Sequence, residues 1–60
     1  MKLVKDLQVG DVFRVNGDNF EVIDLQPAHK ADAWNMRYQS QSSGRTYTRF
    51  IWFVDELRII

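Results

Sequence analysis

The chain has 60 residues, a formal net charge of zero and no cysteine. A chain of this length forms one domain and buries only about 60% of its unfolded surface, so we expect marginal stability. The lack of cysteine excludes a disulfide framework and thiol chemistry. No apolar run approaches about 18 residues, and the first residues lack the apolar stretch of a signal peptide. We therefore expect a cytoplasmic protein with no membrane partner.

The first half of the chain alternates between apolar and polar side chains from residue 11 onward, which predicts a β-hairpin. Two registers are open at its Asn-Gly turn. A two-residue loop would set Val12 against Glu21 and so mix apolar with charged positions. A four-residue loop over residues 16–19 would set Phe13 against Val22 inside the fold. We favour the four-residue loop, because the side-chain pattern decides register wherever one face is buried.

The strand that follows this turn departs from simple alternation. Val22 and Ile23 are adjacent and both apolar, which predicts a bulge or strong bend near residue 23. Pro27 predicts a loop over residues 26–32, because proline lacks the N–H that a paired central strand donates.

A second hairpin follows the loop. Residues 33–41 and 45–53 have the pattern of two strands joined by Ser42-Ser43-Gly44. A three-residue loop with glycine at its last, left-handed position is a favoured geometry, and here it pairs Gln41 with Arg45.

This register gives the second hairpin one apolar face and one polar, cationic face. The polar face sets Arg37 directly opposite Arg49. Like charges in this position destabilise a sheet by an amount within the range of about 0.2–1 kcal/mol for cross-strand pairs. We interpret the tolerance of this repulsion as a sign of an anionic partner. On the apolar face and in the first hairpin we expect six large core side chains: Trp34, Trp52, Phe50, Met36, Phe13 and Phe20.

The polar face is the candidate binding surface. Residues 33–52 carry three arginines and no acid. Exposed aromatic side chains beside arginines stack on nucleic-acid bases, at about 1–3 kcal/mol per base, and are also common hot spots of protein interfaces. The alternative is an ordinary solvated outer face of a sheet. The candidate residues on this face are Asn35, Arg37, Gln39, Arg45, Tyr47 and Arg49.

The end of the chain predicts one tight turn over residues 54–57, of the 3₁₀ kind, and a last short strand over residues 57–60. Five short strands with tight turns and no long helix predict an all-β fold, closed as a small five-stranded barrel. Closure removes the edges that a lone sheet would expose.

The order of these parts resembles the N-terminal, KOW-like barrel of the translation elongation factor P family, which has an SH3-like fold. The resemblance spans nearly the whole chain and is carried by four short stretches: Asp6-Leu7-Gln8-Val9-Gly10-Asp11, Asn16-Gly17-Asp18-Asn19-Phe20-Glu21-Val22, His29-Lys30, and Ser43-Gly44-Arg45 leading into Thr48-Arg49-Phe50.

In that family a glycine-rich loop presents a modified lysine toward transfer RNA, and Lys30 occupies the matching position. His29 and Ala31 stand where the family has glycines, and the proline is not adjacent. The resemblance implies an SH3-like barrel and adds Lys30 to the candidate contact residues. The alternative for Lys30 is a solvated loop.

Catalytic equipment is sparse in this sequence. His29 is the single histidine, and the serines at positions 40, 42 and 43 have the pattern of a turn. A nucleophilic site needs a base oriented by a third group, and a metal site needs three or four converging ligands. We therefore expect no enzyme activity, no cofactor and no metal.

Two functional hypotheses follow from the sequence. The first is a non-enzymatic module that binds RNA or single-stranded DNA through the basic, aromatic face of the second hairpin. The alternative is a small bacterial or phage adaptor or inhibitor that presents the same face to an acidic protein surface, which the neutral net charge favours. A monomer or weak homodimer is expected, and the apolar end Leu57-Arg58-Ile59-Ile60 is a third possible contact, for self-association.

Overall fold

The computed structural model describes all 60 residues and is all-β. Its elements in chain order are β1 (Lys2–Leu3), a 3₁₀ helix (Val4–Asp6), β2 (Val12–Val15), β3 (Asp18–Pro27), β4 (Ala33–Ser40), β5 (Thr46–Trp52) and β6 (Glu56–Leu57). The strands form a four-stranded antiparallel sheet in the order β2-β3-β4-β5 and a two-stranded sheet of β1 and β6.

The all-β class is confirmed, but the strands do not close into a barrel, and there are six of them rather than five. The 3₁₀ turn lies near the N-terminus, not near the C-terminus as expected. No helix has the length and apolar character needed to cross a membrane.

The first hairpin turns through a two-residue loop, so the expected four-residue loop is wrong. Phe13 lies opposite Phe20, and Val12 lies opposite Glu21. Asn16 and Gly17 both have positive φ, at 52° and 82°. Asn-Gly takes up these angles readily, and the resulting turn matches the right-handed twist of the flanking strands. Local turn chemistry therefore prevailed over the side-chain pattern.

The predicted bulge in β3 is confirmed, since the pairing with β4 shifts between Val22 and Asp24. The extra residue returns Leu25 to the same face as Val22. The strand then continues to Pro27, so the loop covers residues 28–32, not 26–32. Proline is tolerated there because hydrogen-bonded and non-hydrogen-bonded pairs alternate along an antiparallel ladder. The neighbouring pair is hydrogen-bonded, since the Ala28 N–H donates to the Ala33 carbonyl oxygen. Pro27 therefore lies in a non-hydrogen-bonded pair, which needs no N–H from it.

The second hairpin is shifted by one residue from the expected register. Its loop has four residues, 41–44, because the Ser40 N–H donates to the Arg45 carbonyl oxygen at 2.8 Å. The buried Ser40 hydroxyl accepts the Ser43 N–H at 3.2 Å and lies 3.0 Å from the Ser42 hydroxyl. These hydrogen bonds between residues of the hairpin end stabilise the four-residue loop. Gly44 has φ +76°, so its predicted left-handed conformation is confirmed.

The shift turns every side chain of β5 to the other face of the sheet. We call the face that carries Phe13, Met36 and Tyr38 the inner face, and the face that carries Arg37 and Phe50 the outer face. Ile51, rather than Trp52, lies opposite Trp34.

Seven apolar residues form the buried core: Val4, Leu7, Phe13, Val22, Ala33, Met36 and Ile51. Trp34 and Phe20 are half-buried and pack against this core. The expectation that Phe50 and Trp52 are core residues is wrong, because they are 45% and 51% exposed on the outer face. Val4 comes from the N-terminal 3₁₀ helix, and its carbonyl oxygen accepts the indole N–H of Trp34 at 2.9 Å. This segment covers the part of the inner face beside Trp34.

The C-terminal segment lies along the free side of β2. The Arg14 N–H donates to the Arg58 carbonyl oxygen, and the Ile60 N–H donates to the Val12 carbonyl oxygen. Ile59 forms a bridge with Phe13 and packs against the core. The β2 edge of the sheet is therefore covered.

Candidate functional site

A groove of about 470 Å³ opens on the inner face, at the end of the sheet near the 41–44 loop. It is bounded by the first hairpin on one side and by β5 on the other. Its lining side chains are aromatic, aliphatic, hydroxyl and charged: Phe13, Val15, Asp18, Phe20, Met36, Tyr38, Ser40, Ser42, Ser43, Arg45, Tyr47, Arg49, Ile51 and Leu57.

Stacked aromatic rings line the groove. Tyr38 on β4 and Tyr47 on β5 are cross-strand partners, with ring centroids 5.5 Å apart and planes inclined by 26°. Phe20 meets both rings edge to face, at 5.5 Å from Tyr38 and 6.4 Å from Tyr47. Phe13 stacks on Phe20 at 5.6 Å from the core side. Tyr47 is the outermost ring and is 42% exposed, so one aromatic face remains available to a ligand.

Two arginines stand beside Tyr47 along the same strand. Arg45 and Arg49 line the groove and are exposed, and neither belongs to an ion pair. Asp18 lines the groove from the first hairpin and is also unpaired. The groove therefore has a cationic side along β5 and a single carboxylate across from it.

The candidate residues from the sequence divide between two surfaces. Arg45, Tyr47 and Arg49 are brought together in the groove. The other three hairpin residues, Asn35, Arg37 and Gln39, project from the opposite, outer face. The expected pairing of Arg37 with Arg49 is wrong, because the one-residue shift in register puts them on opposite faces.

On the outer face these three residues have ordinary neighbours. Arg37 has Asp24 on β3 and Thr48 on β5 as its cross-strand neighbours, so no like charge lies opposite it, and its side chain forms no ion pair. The side-chain amide of Gln39 donates to the Gly44 carbonyl oxygen at 3.0 Å, which supports the hairpin loop.

Lys30 is exposed in the 28–32 loop and has φ 58°. Lys30 is not among the residues that line the groove.

Sequence reasoning missed the aromatic floor of the groove, namely Phe20 and Tyr38. A signal was present, because an Asn-Gly dipeptide between alternating residues is the strongest short-range indication of a two-residue hairpin. That register sets Phe13 opposite Phe20 and begins the aromatic row.

One ionisable group outside the groove is perturbed. The Asp11 carboxylate accepts the backbone N–H of Gln8 and the ammonium of Lys2, each at 2.9 Å. The Gln8 hydrogen bond lowers the pKa of Asp11 most, and the Lys2 bond lowers it further. This cluster ties β1 to the start of β2 and has a structural role.

No three side chains of histidine, cysteine, aspartate or glutamate lie together in a way that would hold a metal ion. Comparison with models of known protein families and with curated protein sequences finds no match to this chain.

Proposed function

We propose that this chain is a non-enzymatic module that binds RNA or single-stranded DNA in the inner-face groove. The observation that carries the proposal is the stacked pair Tyr38–Tyr47, in which Tyr47 lies between the unpaired Arg45 and Arg49 along the chain. Aromatic rings that accept bases, next to cations that follow a phosphate backbone, are the two parts common to proteins that bind single strands.

The dimensions of the groove support a stacked nucleotide. Its volume of about 470 Å³ lies within the range of roughly 300–1,000 Å³ typical of ligand sites. The outer ring of Tyr47 is backed by Tyr38 and braced by Phe20, so it is held in place before a base arrives. A preorganised ring loses little conformational entropy on binding.

The charges in the groove favour one orientation of the strand. Phosphates are attracted to the row of Arg45 and Arg49 on β5 and repelled by Asp18 on the opposite side. The backbone then follows β5, and the bases point across Tyr47 toward Phe20. Arg45 and Arg49 contact the phosphates, whereas Arg37 lies on the outer face and takes no part.

Direct titration tests this proposal. Labelled poly-U and poly-dT of about 15 nucleotides, a length that covers a typical site, are titrated with the protein at low and moderate salt. Two neutralised phosphates predict a slope of log affinity against log salt of about −1.4. Lack of binding at tens of micromolar protein in low salt, where even non-specific contacts of about 10⁻⁴–10⁻⁶ M are seen, would overturn the proposal.

A second candidate is an acidic surface of a larger protein that docks on the same groove, as an adaptor or inhibitor would use it. The neutral net charge supports it, because a general affinity for nucleic acid usually accompanies a basic chain. Tyrosine and arginine are also frequent hot-spot residues. A pull-down from cell extract with and without nuclease separates the two candidates, since a protein partner remains bound after nuclease treatment.

The SH3-like relationship implied by the elongation factor P resemblance is also a proposal. The all-β composition and the bulge in β3 support a small, partly open barrel of that kind. A role for Lys30 like that of the family's loop lysine stays a prediction, which the change Lys30→Ala in the titration above would test.

A further inference from the structure

The four-stranded sheet has two edges, of which one is covered and the other is open. The β2 edge is covered by Arg58 and Ile60, which hydrogen-bond to it. The β5 edge pairs with no other strand, because β5 contacts only β4 in the sheet. β5 is also a long strand, Thr46–Trp52, so the open edge is extensive.

The register shows which backbone groups of β5 are free. Two bonds bracket its pairing with β4: the Ser40 N–H donates to the Arg45 carbonyl oxygen, and the Phe53 N–H donates to the Asp32 carbonyl oxygen. Bonded and non-bonded pairs alternate along an antiparallel ladder. Thr46, Thr48 and Phe50 therefore direct both N–H and C=O away from β4, into solvent.

This edge has few of the features that usually prevent pairing with another chain. Natural edges are protected by proline, charged side chains, bulges or very short strands. β5 contains no proline, no lysine and no break in its register with β4, and its one charged residue is Arg49. Beside the edge, the outer face carries Phe50 and Trp52, whose rings meet edge to face at 4.9 Å and are about half exposed.

We propose that the β5 edge pairs with the β5 edge of a second copy of this chain, antiparallel, with the two-fold axis at Thr48. An edge of this length, with free groups at every second residue, is complementary to itself under such an axis. The sheet then continues from one copy into the other, and each bonded pair exchanges two hydrogen bonds.

Charge and local structure select the Thr48-centred register over its neighbours. An axis at Tyr47 would set Arg45 against Arg49 of the second copy, and an axis at Arg49 would set the two copies of Arg49 opposite each other. Both arrangements place like charges in directly opposed pairs, which is destabilising. An axis at Phe50 would require the Trp52 carbonyl oxygen, which already accepts the Asp55 N–H at 3.1 Å. The axis at Thr48 sets Thr48 against its own copy, and Tyr47 against Arg49 of the second copy. The first is a favourable cross-strand pair, and the second brings a guanidinium to an aromatic ring.

The small core favours a second copy over an unrelated partner. Only seven apolar residues of 60 are buried, and the chain has no disulfide. Oligomerisation is one of the few remaining ways to stabilise a domain of this size. The C-terminal segment, which the sequence offered for self-association, already covers the β2 edge with Ile59 packed inward.

Sedimentation equilibrium on nuclease-treated protein tests this proposal without any nucleic acid, so its failure can be distinguished from failure of the proposed function. We expect the mass to rise with concentration from 7.1 kDa to twice that value. Thr48→Pro removes an N–H that points away from β4, a position where an edge strand tolerates proline, and should give a monomer. Thr48→Val keeps the N–H and is the matched control, which should remain dimeric.

A charge exchange tests the register and does not depend on whether the proline variant folds. Thr48→Lys and Thr48→Glu each place like charges on the axis and should be monomeric alone, whereas an equimolar mixture should form a heterodimer. A wild-type protein that stays at 7.1 kDa up to its solubility limit would overturn the proposal. A dimer that persists in folded Thr48→Pro would place the interface elsewhere, and homodimers of both charged variants would refute the Thr48 axis.

Discussion

Tyr38 on β4 lies directly opposite Tyr47 on β5, with ring centroids 5.5 Å apart. This pairing puts Arg49 on the inner face beside the groove and leaves Arg37 on the outer face, opposite Asp24 and Thr48. The two arginines lie on the same hairpin and carry the same charge, but they project from opposite faces. A substitution of Arg37 is therefore a control for the same substitution of Arg49.

Arg49→Gln should weaken binding of single-stranded poly-U or poly-dT by tenfold or more, equivalent to about 1.4 kcal/mol. The salt slope should fall by about 0.7, because one phosphate contact is lost. Arg37→Gln removes the same charge from the outer face and should leave both quantities close to those of the parent. Titration with labelled strands measures both variants, and equal losses would show that the groove is not the binding surface.

Tyr47→Ala should weaken the same binding without changing its salt slope, because base stacking releases no counterions. The expected loss is about 1–3 kcal/mol, the range for one stacked base. Tyr47→Phe keeps the ring and should retain most of the affinity. If Tyr47→Phe loses as much affinity as Tyr47→Ala, the hydroxyl rather than the ring makes the contact.

Trp34→Ala should be far more destabilising than Trp52→Ala, although the sequence assigned both residues to the core. The Trp34 ring packs at 5.0 Å from Phe53 and its N–H bonds the Val4 carbonyl oxygen, whereas the Trp52 ring is about half exposed. We expect losses of about 3–5 kcal/mol for Trp34→Ala and within about 1 kcal/mol for Trp52→Ala. Thermal or urea unfolding measures both, and similar losses would contradict the register of β5.

Gly44→Val should destabilise the fold by more than about 1 kcal/mol, and Gly44→Asn should be milder. The cause is the backbone alone: φ is +76°, and a Cβ at this position would meet nothing within 4 Å. Asparagine tolerates the left-handed region, whereas a β-branched residue does not. Urea unfolding of the two variants provides the comparison, and equal effects would indicate that crowding rather than φ decides.

The ionisation of Asp11 should make the stability of the fold depend on pH in the acidic range. Its pKa is lowered in the folded state, first by the Gln8 N–H and then by Lys2, so the ionised form stabilises the fold. This contribution is complete above the ordinary pKa of 3.8 and is lost as the pH falls through the lower folded pKa.

Asp11→Asn should therefore lower stability by about 1 kcal/mol at neutral pH, as expected for a partly exposed charged hydrogen bond. The difference from the parent should shrink as the pH falls below 3.8. Asp55→Asn removes an exposed carboxylate outside the ion pair and is the control. Melting curves across this pH range give the result, and a difference that does not vary with pH would show that the Asp11 charge has no role.

Local patterns of the sequence were sufficient for the elements themselves. Alternation with a period of two predicted the main strands, the adjacent Val22 and Ile23 predicted the bulge, and Gly44 predicted a left-handed turn residue. Each of these properties depends on a few neighbouring residues, because side-chain alternation and backbone sterics act within one strand or one turn.

Tertiary structure alone decided the register of β5 and therefore the composition of the site. A loop of three or of four residues is compatible with the same stretch of serines and glycine, and the choice depends on the Ser40 hydroxyl, which is buried and bonds the loop. The N-terminal 3₁₀ helix also fixes which side of the sheet is buried, because Val4 packs on the inner face and its carbonyl oxygen accepts the Trp34 N–H. A slip of one residue reverses every side chain of a strand, so a local ambiguity in the loop moved Arg49 and Tyr47 to the inner face and Phe50 and Trp52 to the outer one.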